Sequence, residues 1–244
     1  KRTKDDPDSF LVLLPDEVND RAFAMTSSFS SMTLAAYQLF ADEADVVSSI
    51  DYLAEQAELL LKKIDEVTEE ILNFDFDRIV YLGSGTSGKL TREAALKMLE
   101  LTNGRVAPVY ETSLGFRHGP KAFLKEKTLV VVFLSQDPYT KQYDLDILKE
   151  ISQSAYPLKI AALTESQEEL SEWADWVVAV NNGPNKFASD FYLAMLYTLF
   201  AQTIALKKSL QLGITPDNPV PDGSVNRVVK GVVIYPWEKE EHKE

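Results

Sequence analysis

The sequence predicts a doubly wound α/β fold, a parallel five-stranded sheet preceded by two long helices, and three observations carry that expectation. From Arg78 onward, apolar strand candidates alternate with helical segments. The strand candidates are short and β-branched, as strands are in a parallel sheet covered on both faces. Ahead of them lie two long segments whose apolar residues recur at helical spacing.

In chain order, Phe10 to Leu14 reads as a short buried strand ending at Pro15. Helices are expected at about Asn19 to Phe40 and Val46 to Asn73; in the second, Leu53, Ala57, Leu60, Leu61, Ile64, Val67, Ile71 and Leu72 share a face. The strands follow as Ile79 to Leu82, Arg105 to Tyr110, Thr128 to Leu134, Leu158 to Leu163 and Trp176 to Val180. Helices are placed between and after them at about Gly88 to Leu101, Tyr139 to Ser152, Gln167 to Trp173 and Asn185 to Gln211. The stretch Leu212 to Val225 is rich in Pro, Gly and Asp and cannot continue the last helix. It leads to a Val-rich run, Arg227 to Tyr235, readable as a final strand or an extended arm, and to a charged tail.

Composition narrows the function classes. With 45% hydrophobic and 26% charged residues among 244, the chain has the balance of a packed globular protein. Its 38 acidic and 25 basic residues give a formal charge of −13, which repels nucleic-acid phosphates and anionic membranes. A small anion is still bindable, because backbone N–H groups at a helix N-terminus supply local positive potential. There is no cysteine, hence no disulfide, thiol nucleophile or thiolate metal site, which fits a reducing cytoplasm. No signal peptide or membrane-span pattern is visible, so a cytoplasmic location is expected.

Ligands of an open parallel sheet bind beyond the carboxyl ends of its strands. The loop Gly83, Ser84, Gly85, Thr86, Ser87, Gly88 directly follows the first strand of the sheet, and its glycines and hydroxyls suit a phosphate. Such a turn is also common with no ligand, and both readings stand. In the next helix Glu93, Lys97 and Glu100 fall at i, i+4 and i+7 on one face, where two carboxylates flanking an ammonium can hold and supply a base. An exposed ion pair has the same spacing. His118, in Leu114-Gly-Phe-Arg-His-Gly-Pro120, is one of two histidines; the other, His242, sits in the tail, and no pair has metal-ligand spacing. The loop Ser135 to Thr140 can also face the crevice, though Asp137 disfavours an anion there.

The motifs Tyr81-Leu-Gly-Ser-Gly, Arg92-Glu-Ala-Ala-Leu-Lys-Met-Leu-Glu-Leu101 and Leu114-Gly-Phe-Arg-His-Gly-Pro-Lys121 together resemble the second SIS (sugar isomerase) domain of the tagatose-6-phosphate ketose/aldose isomerase family, which includes galactosamine-6-phosphate deaminases. Ala24-Met-Thr-Ser-Ser-Phe29, Ser135-Gln-Asp-Pro-Tyr-Thr-Lys-Gln-Tyr-Asp144 and Val225-Asn-Arg-Val-Val-Lys-Gly-Val232 are similar too, so the likeness runs from about Leu11 to Pro236. More distantly the chain resembles the isomerase half of glucosamine-6-phosphate synthase. The resemblance implies a flavodoxin-like SIS domain at residues 76–236 with a C-terminal arm, a helical connector at 18–75 and a tail at 237–244. Residues 1–17 would end a preceding SIS domain that carries the substrate-phosphate loops.

By the same resemblance, Glu100 is the base that moves a proton between sugar carbons 1 and 2, with Glu93 and Lys97 as its neighbours and His118 assisting ring opening. Lys230 matches a lysine that forms a Schiff base in the distant relative, and a solvated lysine near a strand end is the other reading. Gly83, Ser84, Gly85, Thr86, Ser87 and Ser135 are the expected substrate contacts. No metal or organic cofactor is called for. The partners expected are a hexose or hexosamine 6-phosphate and further copies of the chain in a homodimer or higher homo-oligomer, with His118 near the contact. A non-catalytic sugar-phosphate sensor and an inactive fragment are the alternatives.

Overall fold

In the computed structural model, which describes residues 6–42 and 46–235, β1 (Arg78–Gly83) and β3 (Thr128–Phe133) form the centre of a sheet and are apolar along almost their whole length. β2 (Ala107–Thr112), β4 (Lys159–Thr164) and β5 (Trp176–Ala179) complete it in the order β2-β1-β3-β4-β5, every pair parallel. This is the expected doubly wound order, whose direction of winding reverses between β1 and β3.

Helices cover both faces. On one lie α2 (Val46–Leu72), α3 (Gly85–Leu101) and α5 (Asp190–Gln211), packed on Ile79, Tyr81, Val131 and Phe133. On the other lies α4 (Pro138–Ser152), packed with Phe116 on Val80, Leu82, Val130 and Val132. Alternate residues of β1 and β3 feed the two layers, as the period of a strand requires.

α3 starts where it does because Gly83 and Gly88 lie back to back: a Cβ on Gly88 would stand 2.6 Å from the Gly83 carbonyl oxygen. Close approach of helix and strand therefore requires glycine at that position. A shorter helix, α1 (Ser27–Phe40), precedes α2. Its first turn is capped from outside by Asp20, which accepts from the backbone N–H of Thr26 (3.0 Å), Ser27 (3.1 Å) and Ser28 (2.8 Å). Residues 19–26 are bent round to make that cap, so the helix expected from Asn19 begins only at Ser27.

Three further expectations are corrected. Phe10 to Leu14 forms no strand, and Phe10 and Leu13 are exposed; a strand exists only by pairing, and this segment pairs with none of the described strands. Gln167 to Trp173 is not helical: Leu170 and Ala174 anchor an irregular crossover, too short to gain from helix propagation. α5 begins at Asp190 because Asn185 gives its carbonyl to Tyr52 Oη (2.9 Å) and Asn181 Nδ2 (2.6 Å) instead of to a helical turn. Arg227 to Tyr235 has no strand partner and lies as an extended arm. The expected tail at 237–244, with His242, lies outside the described residues. Among the described residues no helix is long and apolar enough to cross a membrane.

The Asp20 cap has a measurable pH signature. Burial works against its charge, but the Ser28 hydroxyl and amide, the Ser27 amide and the Thr26 hydroxyl outweigh it and hold the carboxyl at about 2, below its usual 3.8. A depressed carboxyl stabilises the fold above its unfolded value and ceases to as pH falls through the folded one. Asp20→Asn is expected to melt below the wild type at pH 7, with the gap closing between about pH 4 and pH 2; a gap independent of pH would contradict the assignment.

Candidate active site

Two places in the fold receive the residues singled out from the sequence. The first is the carboxyl edge of the sheet. Asp144 of α4 is fully buried there and accepts from the Ser84 hydroxyl after β1, the Ser113 hydroxyl after β2, and the Ser135 amide after β3 at 3.0 Å. Burial raises its pKa, and these hydrogen bonds partly counter that. One carboxylate thus ties three strand-end loops together. Asp190, at the start of α5, accepts from the Ser135 hydroxyl and from the Gln136 amide (2.8 Å), closing the same loops onto α5.

Of the expected substrate contacts, Ser84 and Ser135 therefore spend their hydroxyl protons inside the protein. Gly83 is buried in β1, Ser87 is fully buried, and Gly85 and Thr86 are exposed at the start of α3. Thr86 opens on a hollow of about 500 Å³ lined also by Gln136, Asp137, Ser189 and Asp190, with two carboxylates and no cationic side chain. That charge disfavours a dianionic phosphate.

The second place is the flank of α3. A residue rises about 1.5 Å along a helix, so Glu100 stands about 22 Å from the Gly85 end. Glu93, Lys97 and Glu100 do share a face. Lys97 Nζ lies 3.3 Å from Glu93 Oε1 and 2.9 Å from Glu100 Oε2, and Lys97 is only 3% exposed. The surface ion pair that the spacing also allowed is thereby set aside. Gln202 of α5 donates from Nε2 to Glu93 Oε1 at 3.3 Å, so the order of contact runs Gln202, Glu93, Lys97, Glu100. Burial raises the Glu93 pKa, opposed by Lys97 and Gln202.

A cavity of about 270 Å³ opens on this row. Its apolar wall is Phe23, Met25, Phe29 and Met32 from the segment that Asp20 shapes, with Leu96, and its far side is Val225, Asn226 and Arg227 of the arm. Glu100 is the most accessible member of the row, and its Oε1 has no partner among the described residues. A carboxylate with one oxygen fixed by an ammonium and the other facing a half-apolar cavity is built to take a proton.

The structure does not bring His118 or Lys230 to this cavity. His118 is exposed in a 3-10 turn (Gly115–His118) held from below by buried Phe116 and by Glu150, which accepts from Arg117 Nε (2.6 Å) and from Lys121. That turn belongs to the α4 layer, whereas Glu100 belongs to the α3 layer. Lys230 is exposed three residues beyond Arg227. Sequence reasoning missed Asp144, Asp190, Gln202 and Arg227 as site-shaping groups. For Asp144 a signal existed: it shares a helix face with the apolar Ile147, Leu148 and Ile151. Among the described residues no group of three or more His, Cys, Asp or Glu could hold a metal ion.

Comparison with known proteins gives a consistent set of relatives. A family model described as the SIS domain matches residues 74–210. The chain is 39% identical over 231 residues to D-galactosamine-6-phosphate deaminase AgaS of Escherichia coli O157:H7, covering 94% of this chain and 59% of that protein. The structure of tagatose-6-phosphate ketose/aldose isomerase from Escherichia coli matches at 35% identity with a TM-score of 0.84, over 98% of this chain and 61% of that one. A structure from Clostridium novyi NT matches at 40% identity with a TM-score of 0.91, over 97% and 61%. The chain thus spans about three fifths of the length of these relatives.

Asp144→Asn tests the tie at the sheet edge. An amide offers one acceptor oxygen where three donors converge, and an unsatisfied buried donor costs about 1–3 kcal/mol. Denaturant melts are expected to show a loss of that size, and an unchanged midpoint would show that the loops do not depend on this carboxylate.

Proposed function

We propose a function from one premise: this chain belongs to the SIS domain family, and its relatives include a galactosamine-6-phosphate deaminase and a tagatose-6-phosphate ketose/aldose isomerase. The protein interconverts an aldose and a ketose at carbons 1 and 2 of a hexose 6-phosphate, and with an amino group at carbon 2 it releases ammonia. The observation that carries this reading is the α3 row, in which a buried lysine fixes one oxygen of Glu100 and leaves the other facing a cavity.

Glu100 takes the proton from C2 of the open-chain aldose and returns it to C1. For a 2-amino sugar the nitrogen lone pair then forms a C2 imine, and addition of water to C2 expels ammonia and leaves the ketose. Lys97 holds Glu100 in place; Glu93 holds Lys97, and Gln202 holds Glu93. Lys230 is exposed on the arm and does not line the cavity, which supports the reading of a solvated lysine over that of a Schiff-base lysine.

His118 stands on the opposite layer of its own chain, which supports a role in ring opening at the site of a neighbouring copy, as expected of a homo-oligomer. Thr86 and the first amides of α3 lie about 22 Å from Glu100 and face two carboxylates, so they are not proposed to hold the phosphate of the same hexose.

The test is Glu100→Gln in the intact protein, assayed for ketose phosphate and ammonia from galactosamine 6-phosphate and for solvent deuterium uptake into tagatose 6-phosphate. Loss of a general base costs about 10²–10⁴ in rate. Both signals are expected to fall by that factor while the melting temperature moves by no more than a few degrees. Wild-type turnover in the variant would overturn the reading.

A further inference from the structure

We propose that Arg227 is the electrophilic group of this site, the donor that holds the substrate oxygen on which negative charge builds when Glu100 removes the C2 proton; the inference rests on that role of Glu100.

Proton abstraction next to a carbonyl needs a positive, oriented donor at the carbonyl oxygen. Lys97 does not supply it, because its ammonium is buried between Glu93 and Glu100 and is spent on both. Lys230 is exposed and does not line the cavity. Arg227 does line it, together with Glu100. Its Nε is buried and has no hydrogen-bond partner, and the side chain takes part in no ion pair among the described residues. A buried donor left without an acceptor costs about 1–3 kcal/mol, a cost that a ligand oxygen would remove. The guanidinium keeps its charge at any working pH and presents a planar fork of donors suited to an oxygen anion.

The arm is shaped to deliver this residue. Asp222 accepts from the Ser224 amide at 2.9 Å, Asn226 Nδ2 donates to the Gly223 carbonyl at 2.9 Å, and Gly223 adopts a positive φ of 75°. This local turn closes on itself, and the next residue along is Arg227. With Arg227 included, the four charged groups of the cavity, Glu93, Glu100, Lys97 and Arg227, sum to zero, and enediolate formation does not add uncompensated charge.

The step balances without a further reactant. As Glu100 takes the C2 proton, the C2–H bond pair becomes the C1–C2 π bond and the C1–O1 π pair moves onto O1, which faces Arg227. Glu100 then returns the proton to C1, O1 gains a proton, and the hydroxyl or amino group on C2 loses one. Electrons and protons are conserved, and the product carries the C2 carbonyl or imine.

Arg227→Ala and Arg227→Lys in the intact protein test the assignment, with Glu100→Gln run beside them. Loss of an oxyanion donor costs about 10²–10³ in kcat. Arg227→Ala is expected to lose kcat by that factor with KM within a few-fold, and C2 deuterium exchange should fall in parallel. Added guanidinium ion should restore part of the rate to Arg227→Ala, and Arg227→Lys, which keeps the charge without the fork, should fall between. Wild-type kcat in Arg227→Ala, or a raised KM with kcat held, would overturn the proposal, the second outcome marking Arg227 as a phosphate anchor. If Arg227→Ala melts early, the kcat of Arg227→Lys decides in the same way. An inactive Glu100→Gln beside a fully active Arg227→Ala removes this inference alone; an active Glu100→Gln removes the base.

Discussion

A buried ammonium is the constraint on which the site depends. Lys97 points into the packing between α3 and α5, where an unpaired charge would cost several kcal/mol, and it is tolerated because two carboxylates of its own helix close on it. One turn back, Glu93 is buried as deeply and needs Gln202 of α5 to fill its remaining valence. Glu100, one turn on, is left at the cavity with one oxygen fixed and one free. The helix supplies the spacing, the neighbouring helix supplies the support, and the accessible carboxylate oxygen is confined to the end of the row.

The same chain has a second cluster of carboxylates that does the opposite work. Asp144 and Asp190 sit at the carboxyl edge, where ligands of such sheets usually bind, and they gather the hydroxyls and amides of the strand-end loops to themselves. That edge is built as an internal knot. The proposed chemistry lies about 22 Å away at the other end of α3, between the segment folded by Asp20 and the C-terminal arm.

Most of the fold was legible because its strands are short, β-branched and regularly interrupted by helices, so that period and length agree on one answer. Where the expectation failed, the missing information was tertiary. Phe10 to Leu14 has the residues of a strand but pairs with no described strand, and Asn19 to Thr26 has the composition of a helix but is turned by the Asp20 cap. The one-face arrangement of Glu93, Lys97 and Glu100 followed from spacing alone, whereas their burial did not, because it depends on α5 lying against that face. Arg227 could not have been singled out: in sequence it is one cation in a Val-rich run, and only the fold carries it to the cavity that holds Glu100. The separation of His118 from Glu100 was equally hidden, since it depends on which face of the sheet each loop joins.

If Glu100 is the base, the reacting carbons sit at the α3 flank and not at the sheet's carboxyl edge. A crystal structure of the intact protein with a stable enediolate mimic, such as a sugar-phosphate hydroxamate, tests it most directly. The hydroxamate is expected within hydrogen-bond distance of the Glu100 carboxylate, with its oxygen anion on the Arg227 guanidinium. A hydroxamate lodged instead beside Thr86, Gln136 and Asp190, with Glu100 untouched, would contradict it.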